Sequence, residues 1–332
     1  MQVSVLVLIL SIVVILARDD GHVDIISYNV QSFPDWIQSI VYLPNQGRVE
    51  YIPEKTLEAA TNLLNHQPDM ICFQEAFSED VRNQINTFAK LHNYYSLGPV
   101  PASILRFQPC NGGVMLLSKT QFTYHTIQGF PTTTTCGLDR FANKGFIYAE
   151  TIINNAAIGI VATHLQAVDN HCASYTMTAE QVALLKQQQQ LKNIDNFLKN
   201  EKRAVDAVFL VGDLNLNSFD GNAINLDVIR AELDLVGARL PALRAPLHGQ
   251  QLRASFDFTT NTYVQKLANR EHLNPPPPEH DDYVLALGGY GSSSVSMTNV
   301  IVPVKREEFG DLSDHHAVVG QAIISFTSPV SS

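Results

Sequence analysis

Eight polar side chains stand where apolar segments begin or end, and they are spread along almost the whole chain. They are carboxylates, carboxamides and imidazoles: Asn29, Glu75, His164, Asp213, Asn215, Asp282, Asp314 and His315. Taken singly, each has an ordinary explanation as a turn former, a surface charge or a hydrogen-bonded histidine. Their repeated position at strand ends is less ordinary, because strand ends that are distant in sequence meet at one edge of a sheet. We therefore expect these side chains to share one cleft.

The chemistry that suits this set is the metal-assisted hydrolysis of a phosphoester. Mg²⁺ prefers carboxylate and amide oxygens and keeps several of its waters. Such oxygens are offered by Asn29, Glu75, Asp213 and Asn215. His315 has the pKa that suits deprotonation of a water near neutral pH, and Asp282 is the best-placed carboxylate to fix its tautomer. His164 is expected to stabilise charge that develops on the phosphoryl oxygens.

The elements that must position these residues follow from hydrophobic patterning. Strands are predicted at 23–29, 69–77, 112–119, 146–153, 157–167, 206–213 and 280–287, and helices at 53–67, 78–92 and 178–200. Ser78 is the predicted N-cap of the second helix, and Thr178 with Gln181 forms a capping-box pattern at the start of the third. The glutamine run 187–190 in the third helix is predicted to be a solvated face.

Composition limits the class of protein. With 332 residues, of which 45% are hydrophobic, the chain can bury a large core, and no shift in composition divides it. We predict one catalytic domain over 22–326, followed by a short tail at 327–332. A formal net charge of −10 gives no electrostatic footprint for a phosphate backbone, so nucleic acid is not expected as a partner.

The amino-terminal segment favours export. Residues 3–16 are apolar apart from two serines, which is too short for a comfortable membrane span but typical of a secretory signal peptide. We predict a signal peptide at 1–17, cleaved after Ala17, and a secreted, extracellular protein; an uncleaved anchor is the alternative. Of the four cysteines, Cys72 lies in an apolar run and is expected to be buried. Cys136 and Cys172, both in polar surroundings, are the favoured disulfide pair, and the state of Cys110 is left open.

The ordered motifs also carry a resemblance. The segments "SYN", "FQEAF", "GGVMLLSK", "THLQA", "GDLNLNS", "DDYVLAL" and "LSDHHAV" resemble those of the endonuclease/exonuclease/phosphatase (DNase I-like) superfamily. Within it, the segments at 136–150, 163–174 and 256–263 are most similar to secreted bacterial-type neutral sphingomyelinases. The resemblance implies an α/β (α+β) fold of four layers, an α-β-β-α sandwich. It also implies a disulfide between Cys136 and Cys172.

Site roles carried over by this resemblance agree with those inferred from the residue types. Glu75 is implied as the central Mg²⁺ ligand, with Asn29 and Asp314 on the metal side of the cleft. The catalytic group implied is His315, His164, Asp213, Asn215 and Asp282. Mn²⁺ or Co²⁺ is expected to replace Mg²⁺, and His316, which alternation turns away from His315, is expected to be structural.

The function that the resemblance implies is a secreted Mg²⁺-dependent phosphodiesterase that hydrolyses sphingomyelin to ceramide and phosphocholine. Its substrate would lie in membranes or lipoproteins, and the enzyme would be a monomer. Several bacterial members carry a long apolar hairpin before "SDH", whereas this chain has only "NVIVPVKREEFGD" with a lone Phe309, so weak peripheral membrane contact is expected. The alternatives are a secreted nuclease of the same fold and a non-catalytic binding module that kept the sandwich.

Overall fold

A computed structural model describes residues 21–33, 53–201, 203–217, 242–243, 254–257, 260–263, 265, 278–288, 293–306 and 310–326. The predicted signal peptide at 1–17, the tail at 327–332 and Phe309 lie outside these residues, so the domain bounds stay a prediction. Within the described part, no helix is both long enough and apolar enough to cross a membrane.

Two β-sheets form the centre of the molecule. The strands are β1 (His22–Ser32), β2 (Met70–Ala76), β3 (Tyr95–Leu97), β4 (Met115–Ser118), β5 (Phe122–Gly129), β6 (Gly145–Ile153), β7 (Ala156–His164), β8 (Ala207–Asp213), β9 (Ala242–Leu243), β10 (Asp282–Ala286), β11 (Ser294–Val302), β12 (Lys305–Arg306), β13 (Gly310–Asp311) and β14 (Ala317–Ser325). A seven-stranded sheet has the order β3-β4-β2-β1-β14-β11-β9, and a five-stranded sheet has the order β10-β8-β7-β6-β5. A short ribbon pairs β12 with β13.

Three helices cover the outer faces of the two sheets within the described residues. They are α1 (Pro53–Asn65), α2 (Glu79–Leu91) and α3 (Ala179–Glu201). Side chains of α1 and α2, such as Leu63 and Ile85, pack on the outer face of the seven-stranded sheet. Leu191 and Ile194 of α3 pack on the outer face of the five-stranded sheet.

The core between the sheets is built from the inward residues of both. Ile25 of β1 and Met70 of β2 meet Ile158 of β7 and Phe209 of β8, and all four are fully buried. The outer helix layers and the two sheets make the four-layered α-β-β-α sandwich, which confirms the expected fold class.

The helix predictions agree with the structure, and both predicted caps are in place, although only the cap of α3 makes side-chain hydrogen bonds. Thr178 and Gln181 exchange hydrogen bonds at the start of α3, from Thr178 N to Gln181 Oε1 at 3.0 Å and from Gln181 N to Thr178 Oγ1 at 3.3 Å. Ser78 occupies the N-cap of α2 with extended backbone, yet its side chain makes no capping hydrogen bond. The strands β3, β5, β9, β11, β12 and β13 were not predicted. Among the described strands, half-exposed β5 pairs with β6 alone, at the edge of its sheet.

Candidate active site

Strand pairing brings the predicted side chains to one edge of the two sheets. In the seven-stranded sheet, Asn29 of β1 is level with Gln74 of β2. In the five-stranded sheet, Asp213 at the end of β8 is level with His164 at the end of β7. It is also level with Asp282 at the start of β10. Because the sheets pack face to face, these ends meet across the sandwich.

A hydrogen bond between Asn29 and Asp213 joins the two sheets at this edge. Asn29 Nδ2 donates to Asp213 Oδ2 at 3.0 Å, and both side chains are buried. The other carboxylate oxygen of Asp213 accepts from the backbone N–H of Asn215 at 3.0 Å. Asn215 adopts a positive φ of 51° and its Nδ2 donates to the Leu165 carbonyl at 3.2 Å. Asp213 therefore fixes both the partner sheet and the loop that presents Asn215.

His315 is held by Asp282. The distance from His315 Nδ1 to Asp282 Oδ2 is 2.6 Å, and the imidazole packs against the ring of Phe256 with centroids 5.3 Å apart. Burial lowers the pKa of His315, but the carboxylates of Asp282 and Asp314 outweigh it and the pKa stands well above its ordinary value. A bound cation would oppose that rise. Assigning the proton of Nδ1 to this hydrogen bond leaves Nε2 as the free base.

Glu75 projects from a strained backbone position. Its φ is 55°, in the left-handed region that a non-glycine residue seldom adopts and that is enriched at functional sites. Burial raises the pKa of Glu75 to about 8, and the nearby carboxylate of Asp314 adds to the rise. Asp314 itself accepts a hydrogen bond from Gln31 Nε2 at 2.7 Å. Gln31 also has a positive φ, of 47°, at an irregularity in the pairing of β1 with β2.

His164 lies at the end of β7 as a neutral imidazole. Burial lowers its pKa well below the ordinary value, and the ammonium of Lys144 lowers it further. Lys144 is fully buried, and its Nζ donates to the Leu165 carbonyl at 2.6 Å and pairs with Asp139 at 2.8 Å. His164 Nε2 is 3.7 Å from Asp213 Oδ2, and its Nδ1 has no hydrogen-bond partner among the described residues. A neutral imidazole can donate one hydrogen bond, which suits contact with a phosphoryl oxygen.

The carboxylates of this edge fit a hard cation. Ligand atoms of Asp213, Asp282 and His315 lie within 4.8 Å of one another. Asp282 Oδ1 is buried without a hydrogen-bond partner in the described part of the chain. Burial also raises the pKa of Asp282 and of Glu75, and the nearby His315 offsets only part of that rise. Oxygen-rich sites with clustered carboxylates are those that Mg²⁺ prefers.

His316 lies outside the cleft. It is fully buried, its Nε2 is 3.3 Å from Thr260 Oγ1, and its Nδ1 is 3.6 Å from Asp311. Neighbouring His315 therefore faces the carboxylate edge, whereas His316 faces the packing behind it.

The expectation that glutamines 187–190 form a solvated face is wrong for two of them, because Gln187 and Gln190 are buried. Gln187 Nε2 donates to the Gln166 carbonyl at 2.7 Å and to the Asn215 carbonyl at 2.9 Å. Gln190 accepts from the Gln166 N–H at 2.9 Å and donates to the Thr134 carbonyl at 3.0 Å. These glutamines hold the loops that follow β7 and β8.

Helical spacing could have indicated this. Gln187 is three residues after Leu184 and four before Leu191, and Gln190 is four before Ile194. Both glutamines therefore lie on the apolar face of α3. Buried glutamines on such a face need hydrogen-bond partners, and loop carbonyls supply them.

The disulfide is present as expected. Cys136 and Cys172 are bonded, with Cα atoms 5.3 Å apart, and join the loop before β6 to the loop after β7. Cys72 and Cys110 are free and buried, which settles the open state of Cys110.

Comparisons with known proteins point to one family. The model of the Endonuclease/Exonuclease/phosphatase family matches residues 26–315. Sphingomyelinase C of Bacillus cereus is 26% identical over 225 residues, a match that covers 63% of this chain and 61% of that protein. The matched region thus spans less than two thirds of the Bacillus protein. Phospholipase C of Staphylococcus aureus is 25% identical over 330 residues, covering 91% of this chain and 87% of that one.

Solved structures agree on the fold. A beta toxin variant of Staphylococcus aureus, solved with bound magnesium ions, superposes with a TM-score of 0.67 at 21% identity. The superposition covers 91% of this chain and 99% of the toxin.

Proposed function

Because the chain belongs to the Endonuclease/Exonuclease/phosphatase family, we propose that it is a secreted, Mg²⁺-dependent phosphodiesterase that hydrolyses sphingomyelin to ceramide and phosphocholine. The observation that carries the hydrolytic part is the contact of His315 Nδ1 with Asp282 Oδ2 at 2.6 Å, beside the carboxylate of Asp213. The choice of lipid is supported by relatives named sphingomyelinase C and phospholipase C.

In the proposed reaction His315 is the general base. Asp282 holds Nδ1–H and stabilises the imidazolium, while Nε2 takes the proton of the attacking water. The water attacks phosphorus in line with the leaving ceramide oxygen. Asp282 is itself fixed, since its backbone N–H donates to Ser255 Oγ at 3.1 Å.

His164 and Asn215 stabilise the charge that builds up on the phosphoryl oxygens. The lowered pKa keeps His164 neutral, so it donates a hydrogen bond without carrying a charge into the buried cleft. Protonation of the leaving oxygen then falls to a water, because a neutral His164 that gave up its N–H proton would become an imidazolate. Asp213 is the positioning residue of this group, since it orients Asn29 and the Asn215 loop.

The metal-side residues of the proposal are Glu75, Asn29 and Asp314. When bound there, Mg²⁺ supplies electrostatic stabilisation of the phosphoryl oxygens and an electrophilic template for the substrate. Mn²⁺ or Co²⁺ would serve in its place. The backbone strain at Glu75 and the raised pKa of its carboxyl support a ligand role, because a cation would relieve the burial cost of the carboxylate.

The proposed setting is extracellular. A disulfide that joins two loops of the site edge is typical of proteins that fold in oxidising compartments. The proposed enzyme is a monomer that meets sphingomyelin in membranes or lipoproteins. Its net charge of −10 disfavours nucleic acid as substrate.

The test is release of phosphocholine from sphingomyelin by the purified protein. Activity should need Mg²⁺, cease with EDTA, and fall about 10²-fold to 10⁴-fold in His315→Ala, the range that a general base contributes. The activity of Glu75→Gln should fall by a comparable factor, and this variant should need a higher Mg²⁺ concentration for half-maximal activity. The matched controls are the exposed positions His125→Ala and Glu54→Gln, which should match wild type. Rates of Glu75→Gln or His315→Ala within a few-fold of wild type would refute the site assignment, and nicking of plasmid DNA would favour the nuclease alternative.

A further inference from the structure

A small apolar tip projects from the loop between β3 and β4. The exposed fractions of its side chains are 86% for Ile104, 96% for Leu105 and 86% for Phe107. Within the described part of the chain, no other four-residue segment holds three large hydrophobic side chains this exposed. Single exposed hydrophobic residues are ordinary on a protein surface, whereas a contiguous group marks an interaction site.

The tip is a hydrogen-bonded turn on a buried base. Residues Ile104–Arg106 form one 3₁₀ turn, and Phe107 closes it with a positive φ of 56°. The backbones of Ser103 and Gln108 are bridged by hydrogen bonds of 2.8 and 3.0 Å. Gln108 is buried and donates to the Ala142 carbonyl at 3.1 Å. The three apolar side chains therefore lie at the outer end of the turn and do not pack on the rest of the protein.

The base of the tip is continuous with the active-site edge. Asn111 Nδ2 donates to the Phe77 carbonyl at 2.9 Å, and Ala76 N–H donates to the Gly113 carbonyl at 2.8 Å. Cys110 packs with Phe77 in a small buried cluster. Phe77 follows Glu75 by two residues, so the tip stands on the same edge as the cleft.

The stretch of sequence that contains the tip differs in charge from the rest of the chain. From position 81 to position 138 the chain contains no aspartate or glutamate, although it has 32 of them in all. The same stretch carries four basic side chains: Arg82, Lys90, Arg106 and Lys119. Choline-phospholipid head groups are zwitterionic, so they do not repel the acidic protein as a whole, and the basic side chains of this stretch can pair with their phosphates.

We propose that residues 104–107 insert into the surface of a choline-phospholipid bilayer and so deliver the cleft to its substrate. The proposal rests on the proposed function for the identity of the substrate, but not for the insertion itself. Three apolar side chains on a convex turn can enter the head-group boundary, with Arg106 beside the phosphates. The weak contact expected from the sequence was based on the segment before Asp311 and did not include residues 104–107.

The test uses vesicles of sphingomyelin and phosphatidylcholine with the full-length protein. The variant Ile104→Ser/Leu105→Ser/Phe107→Ser removes the apolar tip. The matched control, Leu91→Ser/Ile152→Ser, removes two hydrophobic side chains outside the tip. Leu91, at the end of α2, is 73% exposed, and Ile152, near the end of β6, is 55% exposed. Co-sedimentation in EDTA measures binding without turnover, and turnover is measured on vesicles and on a water-soluble phosphocholine ester.

The tip variant should bind vesicles at least about tenfold more weakly, since burying even one such side chain corresponds to more than a tenfold change in an equilibrium constant. Its turnover should fall on vesicles and stay at the wild-type level on the soluble ester, while the control keeps both. Unchanged vesicle binding of the tip variant, or an equal loss in the control, would overturn the proposal. So would a wild-type dimer that the tip variant converts to a monomer in light scattering, since a second copy would then occupy the tip. Tip-dependent binding by a wild type that hydrolyses neither substrate would refute the proposed function and leave the docking surface standing.

Discussion

Replacement of Gln187 by Met tests whether a buried glutamine of α3 positions the catalytic loops. Its Nε2 donates to the carbonyls of Gln166 and Asn215 at 2.7 and 2.9 Å. Methionine has nearly the same length and shape but no N–H donors. Two hydrogen bonds worth about 0.5 to 1.5 kcal/mol each should be lost, so the free energy of unfolding should fall by about 1 to 3 kcal/mol.

The effect on turnover should exceed what the loss of stability explains. Asn215 sits at a positive φ and depends on its neighbours for that conformation. Release of its carbonyl should let the side chain move, and a shift of about 1 Å in a catalytic group can cost about 10²-fold in rate. We expect kcat to fall between about tenfold and 10²-fold under conditions in which the variant is fully folded, with a smaller change in KM.

Gln190→Met is the matched control. It also loses two hydrogen bonds, to Gln166 and to Thr134, but none to Asn215. Urea unfolding should show a similar loss of stability for both variants, while steady-state kinetics should show the larger loss of kcat in Gln187→Met. Wild-type kcat in folded Gln187→Met, or the same loss of kcat in both variants, would refute the positioning role.

Three further predictions concern the cysteines and His316. Loss of the Cys136–Cys172 disulfide through Cys136→Ala/Cys172→Ala should lower the free energy of unfolding by about 4 kcal/mol, because the bond closes a loop with a sequence separation of 36. A decrease of under about 1 kcal/mol in the free energy measured by urea unfolding would contradict this. Cys72 and Cys110 should resist iodoacetamide at pH 8 until the protein unfolds, because burial raises their pKa to about 12 and about 11; rapid native labelling, read by mass spectrometry, would contradict it. His316→Ala should keep turnover close to wild type. Burial lowers the pKa of His316 to about 4, below the ordinary value of about 6.5, so the unfolded chain binds a proton at this histidine before the folded chain does. The free energy of unfolding of wild type should therefore fall relative to that of His316→Ala as the pH drops from 6.5 to 4. A stability difference that is constant across that range would argue against it.

The sequence correctly indicated which side chains meet at one sheet edge where a strand end and a polar residue coincide. His164 and Asp213 are the last residues of β7 and β8, and Asn29 lies near the end of β1, so strand-end geometry was enough to group them. The same reasoning failed for Gln187 and Gln190. A run of four glutamines looks polar on every side, and only contact with the loop carbonyls of the neighbouring layer gives two of them a reason to be buried.

The tip at residues 104–107 shows the opposite failure. Its letters, "ILRF", have the composition of a buried segment, and nothing in the local pattern distinguishes them from core. Their exposure depends on the base of the loop, where Gln108 and Asn111 find partners in segments 30 or more residues away. Burial of the polar base and exposure of the apolar end reverse what composition predicts.

By itself, the sequence determined which side chains are able to do the chemistry and which strands carry them, because these depend on residue type and on short-range periodicity; the pairing of Cys136 with Cys172 was implied by the family resemblance. Only the tertiary structure decided how they meet. The hydrogen bond of Asn29 to Asp213 spans 184 positions, and that of His315 to Asp282 spans 33. The packing of one sheet against the other sets the first of these distances, and the bridge of Phe256 to His315 helps to set the second. The left-handed backbone of Glu75 is likewise a property of the packed edge. Such a conformation is unfavourable in free energy, and it persists only where the surrounding contacts hold it in place.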